Sequence, residues 1–202
     1  MSSHLLVPIK PLHLAKSRLR GAVGDHTALV AAVAHDTVAA ARNAAGVAAV
    51  VVITSDPELA ASFAGAGVEV LPDTPASGLN AALRHGDELL RERGVRRVGA
   101  LQADLPALKP EALAAALRAA GDDRSFCPDR HGTGTTLLLA EPGRPLDPRF
   151  GAGSADAHAD SGAKALHGPW ESLRCDVDTE GDLAAATALG LGPRTRSRLL
   201  PG

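Results

Sequence analysis

Runs of consecutive aliphatic and β-branched residues, each separated from the next by an alanine-rich stretch with helical spacing, constrain this chain more than any other feature. Val47 to Thr54, VAAVVVIT, is apolar at nearly every position rather than at every second one. A strand with one face in water alternates, whereas a strand covered on both faces reads as a continuous apolar run. Such strands need helices on both sides, and the chain supplies them: HTALVAAVAHDTVAAARNA (His26 to Ala44), PELAASFAGAG ending at Gly67, LNAALRHGDELLRERG ending at Gly94, and the Pro-started PEALAAALRAAG (Pro110 to Gly121). Interleaved with them are LLVPI (Leu5 to Ile9), VEVLPD and RRVGALQAD. The alternation predicts an α/β domain: a mostly parallel sheet with helices on both faces and ligands at the carboxyl ends of the strands.

The second half changes character. RSFCPDRHGTGTTLLLAEPG reads as two strands around a polar, Gly-rich connection, and an antiparallel pair there makes the sheet mixed. PLDPRFGAGSADAHADSGAKAL has little periodicity and is expected to be a binding loop, mobile until ligand orders it. The basic tail, about residues 193–202, reads as a solvated terminus. At 202 residues the chain fits one domain, 1–202, with a three-layer core. A net charge of −2 argues against a nucleic-acid-binding surface, and no apolar run is long enough to span a bilayer. Cys127 and Cys175 lack metal-type spacing, so free thiols and a cytoplasmic location are expected.

Acids at strand ends carry the chemical signal. Asp104 follows VGALQA, and Asp176 and Asp178 stand in LRCDVDTEGDL. Hard cations such as Mg²⁺ bind through a few carboxylates, waters and substrate phosphates, so the three read as a phosphate-handling centre. Asp also caps helices, and Asp178 could simply start the helix that follows it. The cations Lys10, Lys16 and Arg18 in PIKPLHLAKSRL follow the first strand and suit a triphosphate, although a solvated basic loop reads the same way. No glycine-rich phosphate loop accompanies them. His35, His131, His158 and His167 show no interpretable partner pattern and are expected to be structural or solvent-facing, and Trp170 to be a packing anchor.

Taken in order, PIKPLHLAKSRL, GLNAAL (Gly78 to Leu83), LQADLPAL, PDRHGTGTTLL, DPRFGAGSADAH and LRCDVDTEGDL make nearly the whole chain resemble the phosphoenolpyruvate or 2-phospho-L-lactate guanylyltransferases of coenzyme F-420 biosynthesis. The resemblance implies a three-layer, Rossmann-like nucleotidyltransferase fold of the GT-A-like kind. It implies Asp104, Asp176 and Asp178 as ligands of Mg²⁺, with Mn²⁺ an alternative ion, and Thr136, Gly151 and Ser154 at the phosphoenolpyruvate. It makes Lys10, Lys16 and Arg18 candidates for the GTP phosphates, with Lys16, Arg18 and Asp104 in the catalytic role, and Asn80 and Asp129 candidates for the nucleotide. Gly132 and Gly134 read equally as turn glycines, and Asn80 as a helix cap.

The implied reaction moves GMP from GTP to the phosphate of a small acid. That phosphate is already anionic and needs no general base, so holding it in line and absorbing charge on pyrophosphate suffices. The partners are then GTP and a small phosphorylated carboxylic acid, with a downstream enzyme to take on the product. Phosphoenolpyruvate comes first among the acids, with 2-phospho-L-lactate and 3-phosphoglycerate as alternatives. A GT-A-type glycosyltransferase would centre on one DxD pair, and a non-catalytic nucleotide-binding regulator could lose the acids altogether.

Overall fold

The computed structural model describes residues 2–11 and 26–199. Its first half alternates as the sequence predicts: β1 (Ser3–Pro8), α1 (His26–Arg42), β2 (Val47–Ile53), α2 (Pro57–Gly65), β3 (Glu69–Leu71), α3 (Leu79–Glu92), β4 (Val98–Leu101) and α4 (Pro110–Ala120). Then come β5 (Ser125–Pro128), β6 (Thr135–Leu139), α5 (Ser154–Asp160), β7 (Lys164–Ala165), α6 (Glu171–Arg174), α7 (Glu180–Leu189) and α8 (Pro193–Leu199). The seven strands form one sheet in the order β3-β2-β1-β4-β6-β5-β7. β6 runs antiparallel to β4 and β5, and the other pairings are parallel, so the sheet is mixed as expected.

The continuous apolar runs are explained by two cores, one on each face. Successive side chains point to opposite sides of a strand. Leu5 and Val7, Val50 and Val52, and Leu137 and Leu139 pack with Val38 of α1, Phe63 of α2 and Leu113 of α4. Their neighbours Leu6, Val51, Ile53 and Leu138 pack on the opposite face with Leu83 and Leu90 of α3 and Ala155 of α5. Trp170 is buried in the first of these cores, as a packing anchor should be.

Gly99 of β4 lies where that packing is closest. A methyl group there would stand 2.8 Å from Leu139 Cδ2, 2.9 Å from Leu5 Cδ2 and 3.0 Å from the Leu138 carbonyl oxygen. Two of these neighbours are buried side chains and the third is backbone, so the strand has little room to yield. Gly99→Ala is expected to destabilise the protein by about 1–3 kcal/mol through overpacking, read as a lower urea midpoint with an unchanged slope.

Three expectations change. Residues 193–199 of the tail are not a free terminus: they form α8, which packs on α1 through the buried Thr195 while most of its other side chains face solvent, and the Asp36 carboxylate accepts hydrogen bonds from the Arg194 (3.2 Å) and Thr195 (2.7 Å) amides. Capping of this kind satisfies the first amides of a helix, and the basic composition hid the signal because the cap comes from α1, far away in sequence. The Gly/Ser stretch is not a bare loop either, since it contains α5 and β7, with Ala155 and His158 buried. Finally, LRC before Asp176 is not a strand; α6 occupies Glu171–Arg174 and an irregular segment carries the two acids.

Candidate active site

β1 and β4 are parallel neighbours, and the chain leaves β1 toward β2 on one side while β4 lies on the other. A crevice opens beyond the carboxyl ends of strands where the order reverses in this way. A pocket of about 320 Å³ occupies it, lined by Lys10 just after β1, Gln102 and Asp104 just after β4, Asp73 after β3, and Asp178.

Local backbone bonding explains how the acids arrive there. The Val177 amide donates to the Asp104 carbonyl (3.1 Å), which ties the segment at 175–178 to the end of β4. Along that segment Cys175 and Val177 are buried and Asp176 and Asp178 are more exposed, as alternation in an extended chain requires. Capping does not account for either site. Thr179 is the N-cap of α7 and forms a capping box with Asp182, while Lys109 holds the N-cap position of α4.

Asp182 matters to this corner even though the sequence did not single it out. Burial pushes its carboxyl up, but hydrogen bonds from the Thr179 hydroxyl, from the Thr179 and Asp178 amides and from His131 more than offset that and hold it below its ordinary value. It also faces Arg130 at 3.2 Å. The opposite holds at Asp176: burial first, then the carboxylates of Asp104, Asp129 and Asp178, push it up to about 7. Four carboxylates therefore share one electrostatic neighbourhood. Among the described residues, however, no three His, Cys, Asp or Glu side chains converge as a metal-binding group.

The other expected site residues fall into three groups. Lys10 is exposed and lines the pocket, whereas Lys16 and Arg18 lie outside the described residues. Asn80 does not cap α3, whose N-cap is Gly78; its amide donates to the Phe150 carbonyl (2.9 Å) and its Oδ1 accepts from the Phe150 amide (2.8 Å). Asp129 serves its own turn, accepting from the amides of Thr133 (3.0 Å) and Gly134 (2.9 Å). A side chain at Gly134 would meet that carboxylate, so Gly134 is a glycine of close approach, while Gly132, at φ 76°, is a turn glycine.

Thr136, Gly151 and Ser154 do not line the pocket, although backbone bonds connect Thr136, and through Phe150 the neighbourhood of Gly151, to residues at its edge. The Gln102 amide donates to the Thr136 carbonyl (2.9 Å), and the Thr136 hydroxyl reaches the Cys127 carbonyl only at 3.4 Å. Gly151 follows Phe150, which Asn80 fastens to the start of α3 beside the pocket residues Gly78 and Leu79. Ser154 is buried at the start of α5, next to Ala155, whose amide donates to the Thr133 carbonyl (3.1 Å).

His158 locks this wall. Its Nε2 accepts from the Arg149 amide (3.0 Å), so Nδ1 carries the proton and donates to the Thr135 hydroxyl (2.9 Å). Burial, then the charges of Arg124 and Arg149, lower its pKa from 6.5 to about 4. The folded state thus binds fewer protons than the unfolded chain between those values. This contribution to stability is complete above about pH 6.5 and is lost as the pH falls toward 4. The expected loss from this residue is up to about 3 kcal/mol. His158→Gln should flatten the slope over that window, measured as urea stability against pH. His35 is likewise structural, bonded to Ser62 (2.8 Å) and stacked on Phe63. The sequence missed Asp73 and Gln102, although both carried a readable signal. Asp73 is a strand-end acid like Asp104, and Gln102 stands directly after β4, two residues before Asp104.

The pattern of the MobA-like NTP transferase domain matches residues 28–171. A phosphoenolpyruvate guanylyltransferase from Salinispora arenicola is 55% identical over 196 residues, covering 95% of this chain and 90% of that one. The corresponding protein from Geodermatophilus obscurus is 51% identical, covering 96% and 93%. The chain belongs to the phosphoenolpyruvate guanylyltransferase family. A Methanothermobacter nucleotidyl transferase of known structure superposes with a TM-score of 0.62 at 18% identity, covering 94% of this chain and 97% of that one, which extends the likeness of fold beyond the guanylyltransferases. Membership of this family makes the chain a nucleotidyltransferase, and the crevice beyond β1 and β4 its candidate nucleotide site.

Proposed function

We propose that the protein transfers GMP from GTP to phosphoenolpyruvate, giving enolpyruvyl-2-diphospho-5'-guanosine and pyrophosphate. An oxygen of the acid's phosphate forms the new bond to the α-phosphorus of GTP, and the bond from that phosphorus to the β-phosphate bridge breaks, its electron pair leaving with pyrophosphate. No proton has to move from the attacking phosphate, in keeping with the structural histidines. The observation that carries this reading is the pocket at the β1 and β4 ends, lined by a cation, Lys10, and by two acids, Asp104 and Asp178.

The residues fit a divalent ion that arrives with its substrate. Burial, with the neighbouring carboxylates of Asp104, Asp129 and Asp178, raises Asp176 to about 7, and a dication relieves such a crowded, poorly solvated setting. Mg²⁺ takes one or two carboxylates and completes its shell with phosphate oxygens and water, so it does not need a ready-made cage of three. Asp104 and Asp178, with Asp176 behind them, would hold Mg²⁺ or Mn²⁺, and the ion supplies charge stabilisation at the phosphates. Lys10, with Lys16 and Arg18, binds the triphosphate and draws charge onto the departing pyrophosphate. The wall of Thr136, Gly151 and Ser154 orients the acid, with Asn80 and His158 setting its shape.

In this reading the enzyme works in the cytoplasm on the route to coenzyme F-420 and passes its product to a downstream enzyme. No helix among the described residues is long and apolar enough to cross a membrane. Pyrophosphate release with GTP, Mg²⁺ and equimolar phosphoenolpyruvate, 2-phospho-L-lactate and 3-phosphoglycerate tests the assignment. Phosphoenolpyruvate is expected to be consumed first; preference for another of the three would reassign the acid.

A further inference from the structure

Asp73 follows β3 and lines the same pocket as Asp104, yet nothing in the proposed phosphate chemistry uses it. Its Oδ1 is fully buried and has no hydrogen-bond partner among the described residues. Burying a carboxylate oxygen without a donor is costly, so the position suits a ligand that brings N–H groups. Gln102 presents the complementary case on the same pocket, with a buried Nε2 that has no acceptor among the described residues. The pocket is thus built to be completed by a molecule with both donors and acceptors.

The sheet order says which part of a nucleotide reaches Asp73. β3 and β4 are separated by three strand spacings, about 14 Å, so Asp73 lies at the end of the pocket away from Asp104. With the phosphates at the Asp104 end, the base extends toward β3 between apolar walls such as Ile53, Leu79 and Ala82. We propose that Asp73 is the residue that selects guanine, its carboxylate accepting from N1–H and from the 2-amino group. This assignment rests on the GTP reading above. Adenine sets a lone pair at N1 where guanine has a proton, and a carboxylate facing a lone pair is left unpaired. Sites that leave a buried polar group unpaired reject the wrong ligand far more strongly than apolar pockets do.

Asparagine at position 73 reverses the pattern in a way that loss of structure cannot imitate. Its amide accepts from N1–H and donates to a carbonyl, which is the edge that xanthine offers. Wild-type protein and Asp73→Asn are compared with GTP, ITP, XTP and ATP at saturating phosphoenolpyruvate, with pyrophosphate as readout and calorimetric titration of each nucleotide alongside. Wild type should prefer GTP over ITP, which lacks the 2-amino group, by roughly 10- to 100-fold in kcat/KM. Asp73→Asn should prefer XTP over GTP, in turnover or, if turnover is too slow, in binding. A variant that still favours GTP over XTP in both readouts overturns the assignment of Asp73 while leaving the GTP reading intact. Failure of wild type to bind or use GTP would overturn the GTP reading itself, and this assignment with it.

Discussion

Asp104→Asn is expected to lower kcat/KM by about a thousandfold or more while leaving the thermal midpoint within a few degrees of wild type. The two halves of this prediction come from different atoms of one residue. The backbone carbonyl of Asp104 accepts from Val177 and holds the segment of Asp176 and Asp178 in place, and asparagine keeps that carbonyl. The side chain lines the pocket, and its charge is what a hard cation binds. The variant therefore retains the scaffold and loses the metal's anchor. Steady-state kinetics in Mg²⁺ and in Mn²⁺, with a melting curve for each preparation, check both halves. Normal turnover of the variant in Mg²⁺ would remove Asp104 from the metal site.

Gly151→Val is expected to raise the KM for phosphoenolpyruvate by about 10- to 100-fold and to change that for GTP by no more than about twofold. Gly151 has φ of 147°, a conformation that a β-branched residue adopts only with strain on the order of 1–3 kcal/mol. The strain cannot be relieved from the preceding side, because Asn80 holds Phe150 through both its amide and its carbonyl. A segment anchored in this way should be partly protected from hydrogen exchange before ligand arrives, with further protection at Gly151 when the acid binds. Equal effects on both substrates would separate this segment from the acid site.

Periodicity made the first half of the fold legible. β1 to α4 follow from runs such as VAAVVVIT because two-sided burial leaves no polar alternation in a strand, and each helix that covers it carries its own spacing. The antiparallel β5–β6 pair was readable from its glycine-rich connection. What remained hidden was fixed by contacts distant in sequence. α8 looks like a charged tail until Asp36 is seen capping it, and α5 looks like a loop until His158 is seen between Arg149 and Thr135.

Within the site, the sequence singled out Asp104, Asp176 and Asp178 as strand-end acids, and only Asp104 follows a strand; the other two are carried by an irregular segment that the Val177 amide ties to the end of β4. The role of Asn80 could not be read in advance. A lone asparagine at the start of a helix looks like a cap or a ligand, and only the fold brings Phe150 to it. The same reasoning that marked Asp104 applied to Asp73 in VEVLPD, but without the sheet order nothing connected the end of β3 with the end of β4.

Phosphorus NMR of one reaction mixture follows GMP transfer from GTP to phosphoenolpyruvate atom by atom. With enzyme, Mg²⁺, GTP and phosphoenolpyruvate, the phosphoenolpyruvate monophosphate signal should be lost, two mutually coupled diphosphate resonances should appear, and pyrophosphate should form in equal amount. Unchanged phosphoenolpyruvate beside intact GTP, or GTP hydrolysed to GMP with no new diphosphate, would contradict that transfer.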